Sequence, residues 1–284
     1  MRKTIILMLS VALVACTAKQ PKMEDECLYS PSKTQFAFWS NVAEQMEVRI
    51  YNDANGDASL NDANDVQTVA LTKGDNDFWT ACVKGDLAGK YYTVRSFQNG
   101  EWGLESPGIF AKAVSINGQR AAIIDFAKTN PEGWENDKRP AMPDKTDIVV
   151  YETHLRDFTM SPNSGVVNKG KFLALTEEAP LAYLSDLGIT HLQILPMFDY
   201  GSIDETTLEN NRYNWGYDPV NYNVPEGGYS TNPADPACRI REAKAMIQAL
   251  HQAGIRVVMD VVYNHTYDVM GCASVASYRS ISIE

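Results

Sequence analysis

The chain has 284 residues, 44% of them apolar and 21% charged, with 18 Gly and 13 Pro. That composition fits one large or two smaller globular domains and excludes disordered and collagen-like chains. Asp and Glu number 36 against 25 Lys and Arg, giving a net charge of -11 with no run of cations, so a nucleic-acid partner is not expected.

Arg2 and Lys3 precede an apolar stretch over 5–14 that is too short for a permanent membrane span and suits the core of a secretory signal. Leu13-Val14-Ala15-Cys16 resembles a bacterial lipobox, which predicts removal of residues 1–15 and lipidation of Cys16. The expected product is exported and held to a bacterial membrane by its lipid, with a polar tether over 16–28. Cys27, Cys82, Cys238 and Cys272 show no metal-ligand spacing and too few pairs for a disulfide scaffold, so no metal site is expected from them.

Residues 29–128 alternate short β-type runs, at 34–39, 46–51, 66–71, 78–83, 91–97 and 121–125, with turns rich in Gly, Asn and Asp. This pattern predicts an antiparallel, immunoglobulin-like β-sandwich. Asn52-Asp53-Ala54-Asn55-Gly56-Asp57 resembles the start of a calcium loop, but the closing Glu is replaced by Asp62 and helical flanks are missing, so it reads as a polar turn. Trp39, Trp79 and Trp102 fit either the core or a sugar-stacking surface. The proline-rich, charged segment 129–146 reads as a linker.

From Asp147 onward the period changes. Strand-like runs at 147–158, 190–198 and 255–263 alternate with helical patterns at 177–187 and 239–253, each helix followed by a stop glycine, Gly188 or Gly254. The βαβαβ order predicts an α/β fold with a parallel sheet, in which polar groups at the carboxyl ends of the strands build the site. Those ends carry Glu152, His154, Arg156 and Asp157, then Asp199, then Asp260, Asn264 and His265. His191 and His251 sit among apolar neighbours and are assigned no function.

Tyr213-Asn-Trp-Gly-Tyr-Asp-Pro219, followed by Pro225-Glu-Gly-Gly-Tyr-Ser-Thr231, closely resembles the segment that marks type I pullulanases within the α-amylase superfamily of glycoside hydrolases. Asp260-Val-Val-Tyr-Asn-His265 resembles that superfamily's first signature region, and Tyr151-Glu-Thr-His-Leu-Arg-Asp157 its first strand. The resemblance implies that residues 147–284 form the first three strands of a (β/α)8 barrel, preceded by a carbohydrate-binding-type sandwich. It implies Tyr217, His265 and Asp218 as substrate-binding residues, with Tyr217 stacking on a sugar ring, and Asp260 and Asn264 as support for the site. His154, Arg156 and Asp157 are expected to be structural. No cofactor is expected; calcium stays open because Asn264 matches a calcium ligand in some relatives.

The implied activity is hydrolysis of α-1,6 branches in pullulan- or starch-like α-glucans. A retaining glycosidase needs two carboxyl groups about 5 to 5.5 Å apart, and the family's carboxylates lie after later strands. The stretch from Asp147 onward is well short of the roughly 250 residues of a complete barrel. No catalytic residue is therefore assigned, and the chain is expected to be incomplete and inactive alone. A non-catalytic glucan-binding lipoprotein and an α-1,4-acting amylase or branching-type enzyme are the alternatives.

Overall fold

The computed structural model describes residues 21–54, 67–142 and 144–267. Cys16 and the signal segment, the Asn55 to Asp62 part of the polar turn, and Cys272 lie outside the described residues. No helix among the described residues is long and apolar enough to cross a membrane.

The first half is built from antiparallel strands: β1 (Cys27–Ser30), β2 (Lys33–Trp39), β3 (Gln45–Tyr51), β4 (Gln67–Ala70), β5 (Thr72–Lys73), β6 (Phe78–Lys84), β7 (Tyr91–Gln98), β8 (Glu101–Trp102) and β9 (Ala121–Ala122). One sheet runs β1-β2-β6-β5 and the other β4-β3-β7-β8, with β9 on β7. Alternation explains the packing, because successive side chains of a strand point to opposite faces. Val48 and Ile50 of one sheet and Phe36 and Phe38 of the other enter a common core, where Phe36 meets Tyr92 edge-on at 5.2 Å. Trp79 belongs to this core and donates its indole N–H to Ser40 O at 3.1 Å, so its ring is not available to a ligand. Trp102 is half-buried beneath the Arg95 guanidinium.

Two strand boundaries differ from expectation for local reasons. The run at 121–125 is a two-residue strand, because the Asp125 side chain accepts from Ala127 N and caps a 3₁₀ turn at Phe126–Thr129. Cys27–Ser30, within and just beyond the expected tether, pairs in register with β2. Cys27, Cys82 and Cys238 are free thiols.

The second half supplies β10 (Val150–Thr153), α1 (Glu178–Asp186), β11 (His191–Ile194), β12 (Phe198–Tyr200), β13 (Pro219–Pro225), α2 (Pro236–Gln252) and β14 (Arg256–Met259). β10, β11 and β14 form a parallel sheet in that order, Val150 beside His191 and His191 beside Arg256. The expected strand over 190–198 breaks at Pro196, which has no N–H for the ladder. The chain resumes as β12, which pairs antiparallel with β13. α2 starts where the Asp235 side chain accepts from Ala237 N, with Pro236 in the first turn. Its buried face carries Ala243, Met246 and Leu250 onto the sheet, together with the polar Arg239, Glu242 and Gln248.

The proline-rich segment lies along α2. Lys244 Nζ donates to Thr129 Oγ1 and Asn130 Oδ1, Gln248 to Glu132 O, Arg256 to Pro140 O, and His251 Nδ1 lies 2.8 Å from Asp137 Oδ2. Ala113 and Ala122 also pack with Ile240 of α2. The two halves therefore share buried surface.

Candidate functional site

The loop between β12 and β13 carries the aromatic motif. Gly216 has φ +86°, and a Cβ there would overlap the Pro196 carbonyl, so only glycine allows the reversal that turns Tyr217 outward. Asn214 sets the loop's inner side: Oδ1 accepts from Gly216 N at 2.8 Å and Nδ2 donates to Asp218 Oδ1 at 2.8 Å. The other Asp218 oxygen accepts from Ser202 N at 2.8 Å and from Ser202 Oγ. Both Asp218 oxygens are thus occupied in shaping the loop.

Tyr217 meets the end of β14. Its hydroxyl donates to Asp260 Oδ2 at 2.7 Å, and its carbonyl accepts from His265 Nε2 at 2.6 Å. Burial, then the Asp260 carboxylate, push the Tyr217 hydroxyl up to about 12, so it keeps its proton and remains the donor. Tyr222 donates to His265 O at 2.9 Å, and its ring stacks on Tyr263 at 5.9 Å. The loop motif and the strand-end motif, 43 residues apart from Tyr217 to Asp260, form one bonded group beside Asn264, which is exposed. Trp215 and Tyr263 add outward rings at 59% and 79% exposure.

His154 lies below this rim. Asp157 N–H donates to its Nδ1 at 3.2 Å, which leaves the proton on Nε2 to donate to Asn214 O at 2.8 Å. Burial holds its pKa below the ordinary imidazole value, so the neutral ring supports the loop. Arg156 reaches Asp157 and Asn211.

Asp199, expected at the strand end, is buried elsewhere. It forms a knot with Glu205, Glu226 and Arg239, all at 4% exposure or less. Arg239 Nη1 donates to Asp199 Oδ1 at 3.1 Å and Nη2 to Glu205 Oε2 at 2.8 Å. Asn221 Nδ2 donates to Asp199 Oδ2 at 2.7 Å, while Glu226 accepts from Tyr200 N and Gly228 N. Gly227 is required beside it, because a Cβ would overlap Glu205 and the guanidinium. One cation faces three carboxylates, and burial pushes Asp199 up to about 7 and Glu226 well above its ordinary value. The oxygens converge within 4.8 Å, a set that suits a hard cation. Here the guanidinium already supplies positive charge to two of the three carboxylates.

Glu205, Glu226 and Arg239 were not singled out from the sequence. The available signal was Arg239 itself: an arginine on the apolar face of a helix needs a buried partner.

Residues 125–278 match the model of the α-amylase catalytic domain. The chain belongs to that family. It is 36% identical to a pullulanase of Bacillus subtilis (strain 168) over 249 residues, covering 84% of this chain and 33% of the relative. A pullulanase of Paenibacillus barengoltzii, solved in complex with maltohexaose and α-cyclodextrin, superposes with a TM-score of 0.81 at 42% identity, over 88% of this chain and 40% of that one. The pullulanase of Bacillus acidopullulyticus gives a TM-score of 0.81 at 38% identity, over 91% and 32%. The chain therefore spans about a third of the length of the Bacillus subtilis relative.

Proposed function

We propose that this chain is the glucan-holding part of a pullulanase-type hydrolase of α-1,6 branches in α-glucans. In this reading the parallel strands are the first three of a (β/α)8 barrel over 147–284, and the antiparallel sheets over 29–128 are an immunoglobulin-like sandwich. The observation that carries it is the exposed Tyr217 ring, fastened to Asp260 and His265 at the carboxyl end of the sheet. A sugar ring can stack on such a platform without first paying to order it. Asp218 and Asn264 act as scaffold and rim.

Bond cleavage is assigned to carboxylates outside this chain. At the strand ends Glu152 accepts from Gln193, Asp157 from Arg156, Asp218 from Asn214 and Asp260 from Tyr217. These contacts tie all four into the loop framework, and we place the acid and the nucleophile that retaining chemistry needs on other residues. The purified chain is expected to bind maltohexaose and to release no reducing ends from pullulan. Absence of binding overturns the platform, whereas turnover by the chain alone overturns the assignment of the acids. In a chain extended to the length of the pullulanase relatives, cleavage of amylose without cleavage of pullulan would move the activity to α-1,4 bonds.

Anchoring is assigned to a lipid on Cys16, on the strength of the lipobox. Cys16→Ala is expected to abolish palmitate labelling and leave the precursor unprocessed; unchanged labelling removes the anchor.

A further inference from the structure

Beside the base of the aromatic loop is a cavity of about 130 Å³, lined by Arg156, Lys169, Lys171 and Arg212 with one carboxylate, Asp204. In a chain of net charge -11, four cations around one small cavity need a reason. Packing supplies part of it. Lys169 donates to Ser161 O and Pro162 O, and Lys171 to Gly228 O, contacts that hold loops but leave the charges unneutralised.

Arg156 alone of the four has a carboxylate within 4 Å among the described residues, namely Asp157. Glu226, Glu242 and Glu205 act on Lys171 only from farther away. Asp204 is bound to Thr206 and Asn117. Burial lowers the Lys171 pKa, a strain that an anion in the cavity would relieve.

We propose that this cavity binds a phosphate monoester. A dianion with three acceptor oxygens suits the Arg212 fork and two ammonium groups, with Arg156 held by Asp157 and Asn211 at the cavity wall, whereas a single carboxylate uses one fork. The cavity's position points to where the phosphate is carried. Arg212 directly precedes Tyr213, and Asn214, which sets the Tyr217 loop, lines the same cavity. A phosphate esterified to a glucan chain lying over Trp215 and Tyr217 can enter it. That source rests on the proposed glucan platform; the anion site does not.

The test compares wild type with the Arg212→Gln/Lys169→Gln double variant, neither side chain bonding to Tyr217, Asp260 or His265. Four ligands are titrated at constant ionic strength: inorganic phosphate, glucose 6-phosphate, plain maltohexaose, and maltohexaose carrying an enzymatically added phosphate. Phosphate borne on glucan is expected to bind wild type at least tenfold tighter than unphosphorylated maltohexaose, and the double variant to lose that difference while binding plain maltohexaose unchanged. Equal affinity for glucose 6-phosphate and the phosphorylated glucan would make the ligand a soluble sugar phosphate. If no phosphate ligand distinguishes the variant from wild type, the anion site is overturned. Failure of plain maltohexaose to bind either protein counts only against the platform.

Discussion

The Arg239 knot and the Tyr217 rim use the same chemistry, carboxylates held by donors, and differ in access to water. In the knot all four charged groups are at 4% exposure or less. In the rim Tyr217 is 36% exposed and Tyr263 79%. Removing one partner from a buried set strands the others in a medium that solvates charge poorly. Removing one partner from an exposed set lets water replace it. The knot therefore governs whether β12, β13 and α2 stay together, while the rim can be specialised for a ligand at little risk to the fold.

The strongest way to break this contrast is Arg239→Met, which leaves Asp199, Glu205 and Glu226 buried together. It is expected to cost about 3 to 5 kcal/mol, the scale for breaking a buried ion set, read as a lower midpoint in guanidinium denaturation. An unchanged midpoint would mean that the carboxylates are neutralised without the arginine.

Next in size is the pH dependence of stability. Asp199 is raised from 3.8 to about 7, and Glu26, buried against the backbone N–H groups of Ile109 and Phe110, from 4.5 to about 8; burial is the leading cause for both. Between the unfolded and folded values the native state binds more protons, so the stability from these groups is fully present below about pH 4 and is lost as pH rises through 7 and 8. Midpoints measured at pH 5, 6, 7 and 8 should fall through the series for this contribution. The fall should shrink in Glu26→Gln, and a series that rises in wild type contradicts the assignment.

At the rim, Tyr217→Ala should weaken maltohexaose binding by about 5- to 150-fold, borrowing the roughly 1 to 3 kcal/mol scale of stacking on aromatic rings, with a denaturation midpoint close to wild type. Titration by tryptophan fluorescence reads the first and urea melts the second. A large loss of stability with intact binding would make Tyr217 a packing residue. The smallest effect belongs to Tyr217→Phe, which keeps the ring and removes only the hydrogen bond to Asp260. About 0.5 to 1.5 kcal/mol is expected from such a bond, hence a drop in affinity of about tenfold at most. A loss equal to that of the alanine variant would shift the role from the ring to the hydroxyl.

Much of this molecule is legible along the chain. The period-2 runs at β2, β3, β6 and β7 and the βαβαβ order lie close to the observed strands and helices, because alternation and helical spacing are local properties of which face is buried. The Tyr213 to Pro219 motif and the Asp260 to His265 motif marked two candidate segments for the same reason: each is contiguous. What the linear order did not carry is which segments meet. Tyr217 and Asp260 are 43 positions apart, Glu205 and Arg239 are 34 apart, and the cations of the cavity come from two separate loops. Asp199 reads as a strand-end carboxylate until Pro196 breaks the strand and β12 turns it inward to Arg239. Periodicity reports how a residue faces its own element, whereas the partner that makes a buried charge tolerable is chosen only when distant elements pack together.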